Sequence, residues 1–368
     1  MEIYWCRKCL NASTRPRISF DARGWCNACQ WAEEKLSTDW DKRQEDLVKL
    51  INKHKRGDNY DCLVAVSGGK DGSYVAHTLK TRYGLNPLCV TVRPPMALEI
   101  GNQNLNAFID SGFEHIQVSP NYHSLRTLDR IGFLDHGQGY FGWLVSIHTA
   151  VLQIADKFSI SLVFYSEDGE VEYGGLSERK YIPTYGIDYM KRAYLSSTYE
   201  NVISKSNLTP AELFWFKFPE FTKATGSNLE VTHFSYYENW DPYRNYLVAK
   251  DNCGLKEKSD AVVGTFTNFA QNDQALASLH YYLMYLKFGF GRATQDAGIE
   301  IRRGAMKREQ AIELVKLFDG QAPLDGYESY CEYFKITMRE FLETIDKFAN
   351  KELFEKIKDK WVPRFKVE

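Results

Sequence analysis

A short apolar run, residues 63–66, stops at a serine and two glycines and is followed by a stretch typical of a helix, SYVAHTLKTRYG, which ends at Gly84. The pattern predicts a buried strand, a glycine turn and a helix in that order. This order constrains the fold more than any other feature of the chain, because it opens a unit in which strands run parallel and helices cover the sheet.

The alternation continues along the chain. Further strands are predicted in NPLCVTVRPP, HIQVSP, ISLVFYSE and VTHFSYYENW, and helices in GNQNLNAFIDSGF and in residues 143–158. Strands that alternate with helices predict an α/β fold with a doubly wound, parallel sheet. Ligands of such sheets bind beyond the carboxyl ends of the strands, so we expect the loops after Val66, Val92 and Tyr165 to share one cleft.

We divide the 368 residues into four parts. Residues 1–36 are predicted to form a cysteine-rich knuckle and residues 37–58 a helical linker, within a polar helix predicted over 31–55. Residues 59–240 form the α/β domain, and residues 241–368 a mainly helical, substrate-binding region.

The composition is that of an ordinary globular protein, with 26% charged and 44% apolar residues. The formal net charge of −2 argues against a large nucleic-acid-binding surface, because a polynucleotide ligand usually requires an excess of basic residues. No apolar run approaches the roughly 20 residues of a membrane span, and the first residues do not form a signal peptide. We therefore expect a cytoplasmic protein without membrane contact, whose eight cysteines are thiols or metal ligands.

Four of these cysteines are paired in the sequence. Cys6 and Cys9 enclose two residues, as do Cys26 and Cys29, and sixteen residues separate the pairs. This spacing predicts four thiolates around a structural Zn²⁺ ion, with no open coordination position for catalysis. Two redox-active or buried cysteine pairs are the alternative. The four isolated cysteines are expected to be small buried side chains: Cys62, Cys89, Cys253 and Cys331.

The glycine turn is suited to an anion. Glycines allow backbone amides to converge, the N-terminus of the following helix adds partial positive charge, and Lys70 adds a full charge. The spacing differs from the Gly-x4-Gly-Lys-Ser/Thr loop of P-loop NTPases and from the Gly-x-Gly-x-x-Gly turn of dinucleotide-binding folds. A turn between strand and helix without a ligand is the alternative.

The loop after Tyr165, SEDGEVEYGG, is rich in acidic residues. Glu167 is expected at the end of a strand, where a carboxylate can bind Mg²⁺ or position an amine nucleophile. A solvated acidic loop is the alternative.

Residues 287–320 begin with a glycine-punctuated loop that contains arginines and precedes a helix predicted from about Lys307. Arg292, Arg302 and Arg303 in such a loop suit a bidentate grip on a phosphate or a carboxylate, and surface ion pairing is the alternative. The general base stays open, with three histidines as candidates by residue type alone: His136, His148 and His233.

The turn resembles the Ser-Gly-Gly-x-Asp-Ser loop of the ATP pyrophosphatase (PP-loop) superfamily, which binds ATP and releases pyrophosphate as an adenylate forms. The positions that match are Ser67, Gly68, Gly69, Lys70 and Asp71. Gly72 stands where the superfamily has a serine, and Ser73 follows it. The resemblance implies that residues 67–73 bind ATP, with backbone amides replacing part of the serine's role. We expect Lys70 and Asp71 of this turn to be catalytic, together with Glu167 at the end of its strand.

Nearly the whole chain resembles the N-acetyl sugar amidotransferases of bacterial surface-polysaccharide biosynthesis. The polysaccharides concerned include the O-antigen of lipopolysaccharide. The motifs that carry the resemblance are CRKC, GWCNAC, SGGKDGSY, EYGG and KFGFGRAT. The resemblance implies a nucleotide-sugar substrate, typically a UDP-linked diacetamido uronic acid. ATP and Mg²⁺ would adenylate its acetamido carbonyl, and ammonia would then give an acetamidino group, with release of AMP and pyrophosphate. Contacts with the substrate are implied for Lys287, Arg292, Arg302 and Glu172.

By the same resemblance, a separate glutaminase and a cyclase-like ammonia-channel subunit supply the ammonia. The isolated cysteines stand in no glutaminase-like motif, and Glu2 rather than a cysteine follows Met1. Two rival functions are open. A tRNA 2-thiolation enzyme would share the cysteine pairs and the loop, but would need a basic tract and commonly further active-site cysteines. A non-catalytic nucleotide-binding subunit is suggested only by Gly72.

Overall fold

The structure, a computed structural model, describes residues 3–57, 59–221 and 228–368. Its central strands are β1 (Cys62–Ala65), β2 (Pro87–Val92), β3 (His115–Val118), β4 (Leu162–Tyr165), β5 (Thr184–Tyr185) and β6 (Glu230–His233). In the described residues they form one six-stranded sheet in the order β3-β2-β1-β4-β6-β5. The first five strands of this order are parallel, and the edge strand β5 pairs antiparallel with β6. The predicted parallel α/β sheet is confirmed.

Strands β1, β2 and β4 are almost wholly buried on both faces, which explains their continuous apolar sequence. Side chains alternate between the faces of a strand. Leu63 and Val163 therefore pack into one apolar core, whereas their neighbours Val64 and Phe164 pack into another on the opposite face.

Helices cover both faces of this sheet. In the described residues up to Cys253 they are α1 (Asn27–Glu34), α2 (Trp40–His54), α3 (Lys70–Thr81), α4 (Glu99–Asp110), α5 (Tyr122–His136), α6 (Phe141–Lys157), α7 (Gly169–Tyr173), α8 (Ile187–Met190), α9 (Thr198–Lys205) and α10 (Pro242–Cys253). Apolar residues of α2, α3, α4 and α10 pack on the Val64 face, and those of α6 and α8 on the Leu63 face. Helix α10 begins after the predicted boundary at residue 240, yet it packs into the core of the sheet. The domain boundaries therefore stay a prediction.

The C-terminal region is mainly helical, as predicted. It contains α11 (Leu276–Phe288), α12 (Arg292–Arg302), α13 (Arg308–Phe318), α14 (Tyr327–Phe334) and α15 (Met338–Phe348), followed by a hairpin of β7 (Phe354–Ile357) and β8 (Lys360–Pro363). Its core includes Phe133 of α5, whose ring stacks on Phe334 at 4.7 Å between centroids. This packing attaches the region to the α/β domain. None of the helices described here combines the length and the apolar character needed to cross a bilayer.

Three local predictions were wrong. The helix predicted over 31–55 is interrupted between α1 and α2, because the Asp39 side chain accepts a hydrogen bond from Lys42 N (2.9 Å) and so caps a new helix. The acidic stretch after Glu167, expected to be a loop, contains the short helix α7. The arginine-rich stretch is likewise helical, since α12 begins at Arg292 directly after Gly291.

Candidate active site and four-cysteine site

A cleft of about 310 Å³ lies at the carboxyl ends of the central strands. Val66, Val92 and Tyr165 line it together, so the predicted sharing of one cleft is confirmed. The cleft lies where β1 and β4 are neighbours and lead to opposite halves of the sheet. Such a point, where the strand order reverses, leaves room for a ligand between the diverging loops.

The glycine turn forms one wall of this cleft. Helix α3 begins at Lys70, and Gly69 precedes it without a side-chain cap, so the first N–H groups of the helix are left for a ligand. A Cβ atom at Gly72 would lie 3.0 Å from Val66 Cα and 3.1 Å from Ala65 O. Glycine at this position therefore allows the helix to approach the end of β1 closely.

Ser73 does not line the cleft. Its side chain is fully buried, and its hydroxyl has no hydrogen-bond partner among the described residues. Gly68 also lies behind the lining residues, pressed against the backbone of α4. The other predicted ATP-binding residues do line the cleft: Ser67, Gly69, Lys70, Asp71 and Gly72.

Three charged side chains meet beside the turn. Lys70 forms an ion pair with Asp71, whose second oxygen accepts a hydrogen bond from Asn245 Nδ2 (3.0 Å). Glu167 follows β4 and accepts a hydrogen bond from the Tyr173 hydroxyl (3.0 Å). Burial and the neighbouring carboxylate of Asp71, opposed by Lys70, raise the pKa of Glu167 to about 7. Two carboxylates and one ammonium group thus share this end of the cleft.

The C-terminal region supplies a second wall of the cleft. Arg292 donates from Nε to Asp296 Oδ1 (2.9 Å), one helical turn further on, and Thr265 donates to the other oxygen of Asp296 (2.5 Å). Burial opposes the charge on Arg292, but Asp296 more than offsets this and raises the arginine's pKa. The guanidinium is therefore held in place as a permanent cation at the cleft wall.

A loop beside Arg292 completes this wall. Leu98 N donates to Asp273 O (2.9 Å) and Ala275 N donates to Met96 O (3.0 Å), which fixes the loop on the segment that follows β2. Asn272 lines the cleft from this loop. It is 5% exposed, and its Nδ2 has no partner among the described residues, so the amide is available to a ligand.

Three residues predicted to contact the substrate lie outside the cleft. Lys287 donates to the carbonyl oxygens of His136 (2.6 Å) and Gly137 (2.8 Å), at the end of α5. Burial lowers its pKa to about 8. Glu172 accepts hydrogen bonds from Trp31 and Lys35, and Arg302 lies beside the four cysteines.

None of the three candidate histidines lines the cleft either. His148 and His233 are buried, and burial lowers the pKa of both. His136 pairs with Asn201 through Nε2 at 3.1 Å. A general base among these histidines stays a prediction without support from their positions.

The four paired cysteines meet in a closed cluster. Their Sγ atoms all lie within 4.8 Å of one another, with 3.8 Å between Cys6 and Cys29 and 3.5 Å between Cys9 and Cys26. A tetrahedron of thiolates at 2.3 Å from a metal has edges of about 3.8 Å. The donor set and its spacing therefore fit one metal ion, and the predicted metal-binding cluster is confirmed.

Arg302 offsets part of the negative charge of this cluster. Four thiolates around a divalent cation carry an excess of negative charge. Burial disfavours the guanidinium of Arg302, but the thiolates of Cys9, Cys29 and Cys26 outweigh this and raise its pKa. The structure thus gives Arg302 a place at the metal site, where a small neighbour, Gly298, leaves room for it.

Comparison with known proteins identifies the C-terminal part of the chain. Residues 263–366 match the family model of the C-terminal domain of WbpG-like proteins of lipopolysaccharide (LPS) biosynthesis. For this similarity we call residues 263–366 the WbpG-like domain. This domain includes KFGFGRAT, in agreement with the resemblance to the N-acetyl sugar amidotransferases. It also supplies Arg292 and Asn272, so the WbpG-like domain forms the second wall of the cleft.

Other similarities are partial or distant. The uncharacterized protein MJ1599 of Methanocaldococcus jannaschii is 33% identical over 89 residues, which are 24% of this chain and 32% of that protein. The chain therefore matches about a third of that relative. The U34-tRNA thiolase NcsA of Methanococcus maripaludis, solved with its [4Fe-4S] cluster, gives a TM-score of 0.32 at 14% identity, covering 83% of this chain and 88% of NcsA. The NH3-dependent NAD synthetase of Campylobacter jejuni gives 0.28 at 17% identity, covering 50% and 100%.

Sequence reasoning missed three side chains of the site. Tyr173 belongs to the EYGG motif, yet its contact with Glu167 follows only from the short helix between them. Asn245 reaches Asp71 from α10, and Asn272 reaches the cleft from the WbpG-like domain. Neither asparagine belongs to a pattern that could have signalled its role.

Proposed function

We propose that the protein is an ATP-dependent N-acetyl sugar amidotransferase of surface-polysaccharide biosynthesis. The observation that carries this proposal is the composition of one cleft. Its first wall is a PP-loop-like turn with Lys70, Asp71 and Glu167, and its second wall comes from a WbpG-like domain. An ATP site and a sugar site would then open into the same cleft.

The chemistry explains why both walls are needed. An amide carbonyl is a poor electrophile, so its oxygen first attacks the α-phosphorus of ATP and pyrophosphate leaves. Ammonia then attacks the carbon of the adenylated amide, and AMP departs with the former carbonyl oxygen. The N–H groups at the start of α3 and the ammonium of Lys70 stabilise the charge on pyrophosphate.

Asp71 and Glu167 fit a Mg²⁺ ion. Both are carboxylates that line the cleft, and Asp71 is near enough to Glu167 to contribute to its raised pKa. Oxygen ligands from one or two carboxylates, completed by phosphates, are what Mg²⁺ prefers. When bound, Mg²⁺ would neutralise charge on the phosphates of ATP.

The second wall suits the acceptor sugar. Arg292 uses Nε for Asp296 and has further N–H donors for the sugar's carboxylate or the diphosphate. The free amide of Asn272 can donate to an acetamido oxygen or a hydroxyl. We infer a nucleotide-linked diacetamido uronic acid as the substrate, in line with the motif resemblance.

The ammonia would come from partner proteins, a glutaminase and a cyclase-like channel subunit. A glutaminase nucleophile must be an accessible thiolate. The four isolated cysteines are all buried, and burial raises the pKa of each, that of Cys89 to about 12. Within the described residues, no cysteine therefore fits this role.

We assign zinc to the four-cysteine site. Four thiolates within 4.8 Å of one another suit a single ion better than a cluster of several irons, which would hold its cysteines further apart. A closed four-thiolate site is structural, since it leaves no position for a water molecule.

The test is product analysis by mass spectrometry. The purified protein is incubated with ATP, Mg²⁺, ammonium and a UDP-linked diacetamido uronic acid, with a reaction lacking the sugar as the control. We expect AMP together with a sugar in which one oxygen is replaced by NH. AMP formed only with tRNA would instead indicate thiolation. If no AMP forms with any acceptor, even with a glutaminase partner present, the protein is instead a non-catalytic nucleotide-binding subunit.

A further inference from the structure

The short helix α7 lies between the cleft and the four-cysteine site. Its last residue, Tyr173, contacts both sides. The Tyr173 hydroxyl donates to Glu167 Oε1 in the cleft (3.0 Å), and its backbone carbonyl accepts from Asn11 Nδ2 (3.2 Å). One tyrosine thus joins the candidate catalytic carboxylate to the N-terminal knuckle.

Asn11 continues this connection to the metal site. Its side chain is 2% exposed, and the same Nδ2 that donates to Tyr173 O also donates to Cys26 Sγ (3.3 Å). An amide nitrogen has two hydrogens, so it can serve both acceptors at once. Because a metal ion fixes the sulfur, it also fixes the amide and therefore the carbonyl of Tyr173.

Neighbouring contacts strengthen the attachment of α7 to the knuckle. Asn27 Nδ2 donates to Gly175 O (2.6 Å), and Trp31 Nε1 donates to Glu172 (2.9 Å). Gly174 has φ +94°, and a Cβ atom there would lie 3.1 Å from Asn11 Nδ2. The turn after α7 is therefore held closely against these two asparagines.

We propose that Asn11 is a positioning residue that transmits the geometry of the four-cysteine site through Tyr173 to Glu167. The catalytic part of this statement rests on the proposed function, whereas the mechanical link from Asn11 to α7 does not. The four-cysteine site then has a second task besides holding the N-terminal residues together. It aligns one carboxylate of the cleft.

Hydrogen exchange tests the mechanical link without any substrate. In Asn11→Ala, we expect amides of residues 169–176 to lose protection while the metal content stays that of the wild type. Trp5→Phe is the matched control, because it removes another hydrogen bond of the knuckle, Trp5 Nε1 to Lys366 O (2.9 Å), that does not involve α7. Asn11→Leu, which keeps a similar side-chain volume but has no N–H donor, provides a second variant should Asn11→Ala fail to fold. Unchanged protection of 169–176 would overturn the proposal.

A double-mutant cycle tests the route through Tyr173. Asn11→Ala and Tyr173→Phe are each expected to lower kcat by about tenfold with little change in the KM for ATP. If Asn11 acts through Tyr173, its substitution has a much smaller effect in the Tyr173→Phe background. Additive effects would contradict this route. If the wild type shows no turnover, the proposed function fails, and the exchange experiment still decides on the link.

Discussion

Lys287 and Arg292 belong to the same motif, KFGFGRAT, but have different surroundings. Arg292 lines the cleft, whereas Lys287 closes the C-terminal end of α5 by donating to two of its carbonyl groups. A cation at a helix C-terminus satisfies carbonyl groups that lack partners within the helix. The two residues should therefore respond differently to substitution.

We expect Arg292→Lys to raise the KM for the nucleotide sugar by about tenfold or more, because lysine cannot reproduce a forked, bidentate contact. Lys287→Met should leave this KM within about twofold of the wild type, since Lys287 does not reach the cleft. Steady-state kinetics with varied sugar and saturating ATP measures both. An equal rise in both variants would place Lys287 in the substrate site after all.

Lys287 should also influence stability in a pH-dependent manner. Burial lowers its pKa to about 8 from the ordinary value of 10.5. Between these values the unfolded chain binds more protons than the folded protein, so the wild type gains stability relative to Lys287→Met as the pH rises. Urea unfolding at about pH 7 and about pH 9.5 gives the difference. A difference that does not change with pH would contradict the lowered pKa.

The place of a single residue can be predicted from the sequence where the order of the neighbouring strands and helices determines it. Glu167 follows a predicted strand, and parallel strands end at the same edge of a sheet, so its place in the cleft could be predicted. The contact between Asn11 and Tyr173 joins residues 162 positions apart in the sequence, so it could not be predicted. The predicted contact of Arg302 with the substrate is wrong, because nothing in the sequence indicates that α12 packs beside the knuckle.

Among the elements, the glycine turn before α3 depends on its contact with α4. Gly68 has φ +76°, and a Cβ atom at this position would lie 2.5 Å from both Leu105 Cα and Leu105 N. Neither the backbone conformation nor the space permits a side chain. The turn is therefore fixed by a neighbouring helix as well as by its own sequence.

We expect Gly68→Ala to destabilise the protein by more than about 2 kcal/mol and to abolish ATP binding, because α4 or the turn must move. Gly84→Ala is the matched control. Gly84 also has a positive φ of +63°, but nothing lies within 4 Å of its Cβ position, so only the conformational cost of about 1 kcal/mol applies. Chemical denaturation and calorimetric titration with ATP would measure both effects, and equal losses would contradict the role of α4.

The strands and helices that could be predicted are those with a clear apolar pattern in the sequence. Continuous apolar runs gave β1, β2 and β4, since strands buried on both faces need them. Helix α12 was overlooked because glycines flank and interrupt it, at Gly291 and Gly298. Gly298 is needed there for packing, since a Cβ atom would lie 3.0 Å from Arg302 and 3.1 Å from Cys9 O.

On the scale of the whole molecule, the knuckle connects parts that are distant in sequence. It contacts α7 through Asn11 and the C-terminal region through Trp5 and Lys366. The fully buried part of this core consists of the four cysteines and Ala28, and the larger apolar side chains around it are only partly buried, so a bound metal would supply much of its stability. Loss of the ion should therefore affect more than the first residues of the chain.

We expect metal removal by a chelator, or Cys29→Ser, to lower Tm by roughly 10 °C or more, since structural zinc contributes folding free energy directly. Cys331→Ser is the control, because Cys331 is a buried cysteine outside the cluster. Differential scanning fluorimetry with parallel metal analysis measures the change. An unchanged Tm after complete loss of the metal would show that the knuckle folds without it.

The cleft has one further property, an excess of negative charge. Of the described residues that line it, Lys70 and Arg292 are cations, whereas five are carboxylates: Asp71, Glu167, Asp273, Asp296 and Glu300. Uncomplexed ATP would be repelled by this surface, and ATP that carries its divalent cation would not. For the proposed reaction, the kinetically competent form is thus the magnesium complex, and excess free nucleotide would be a weak competitor.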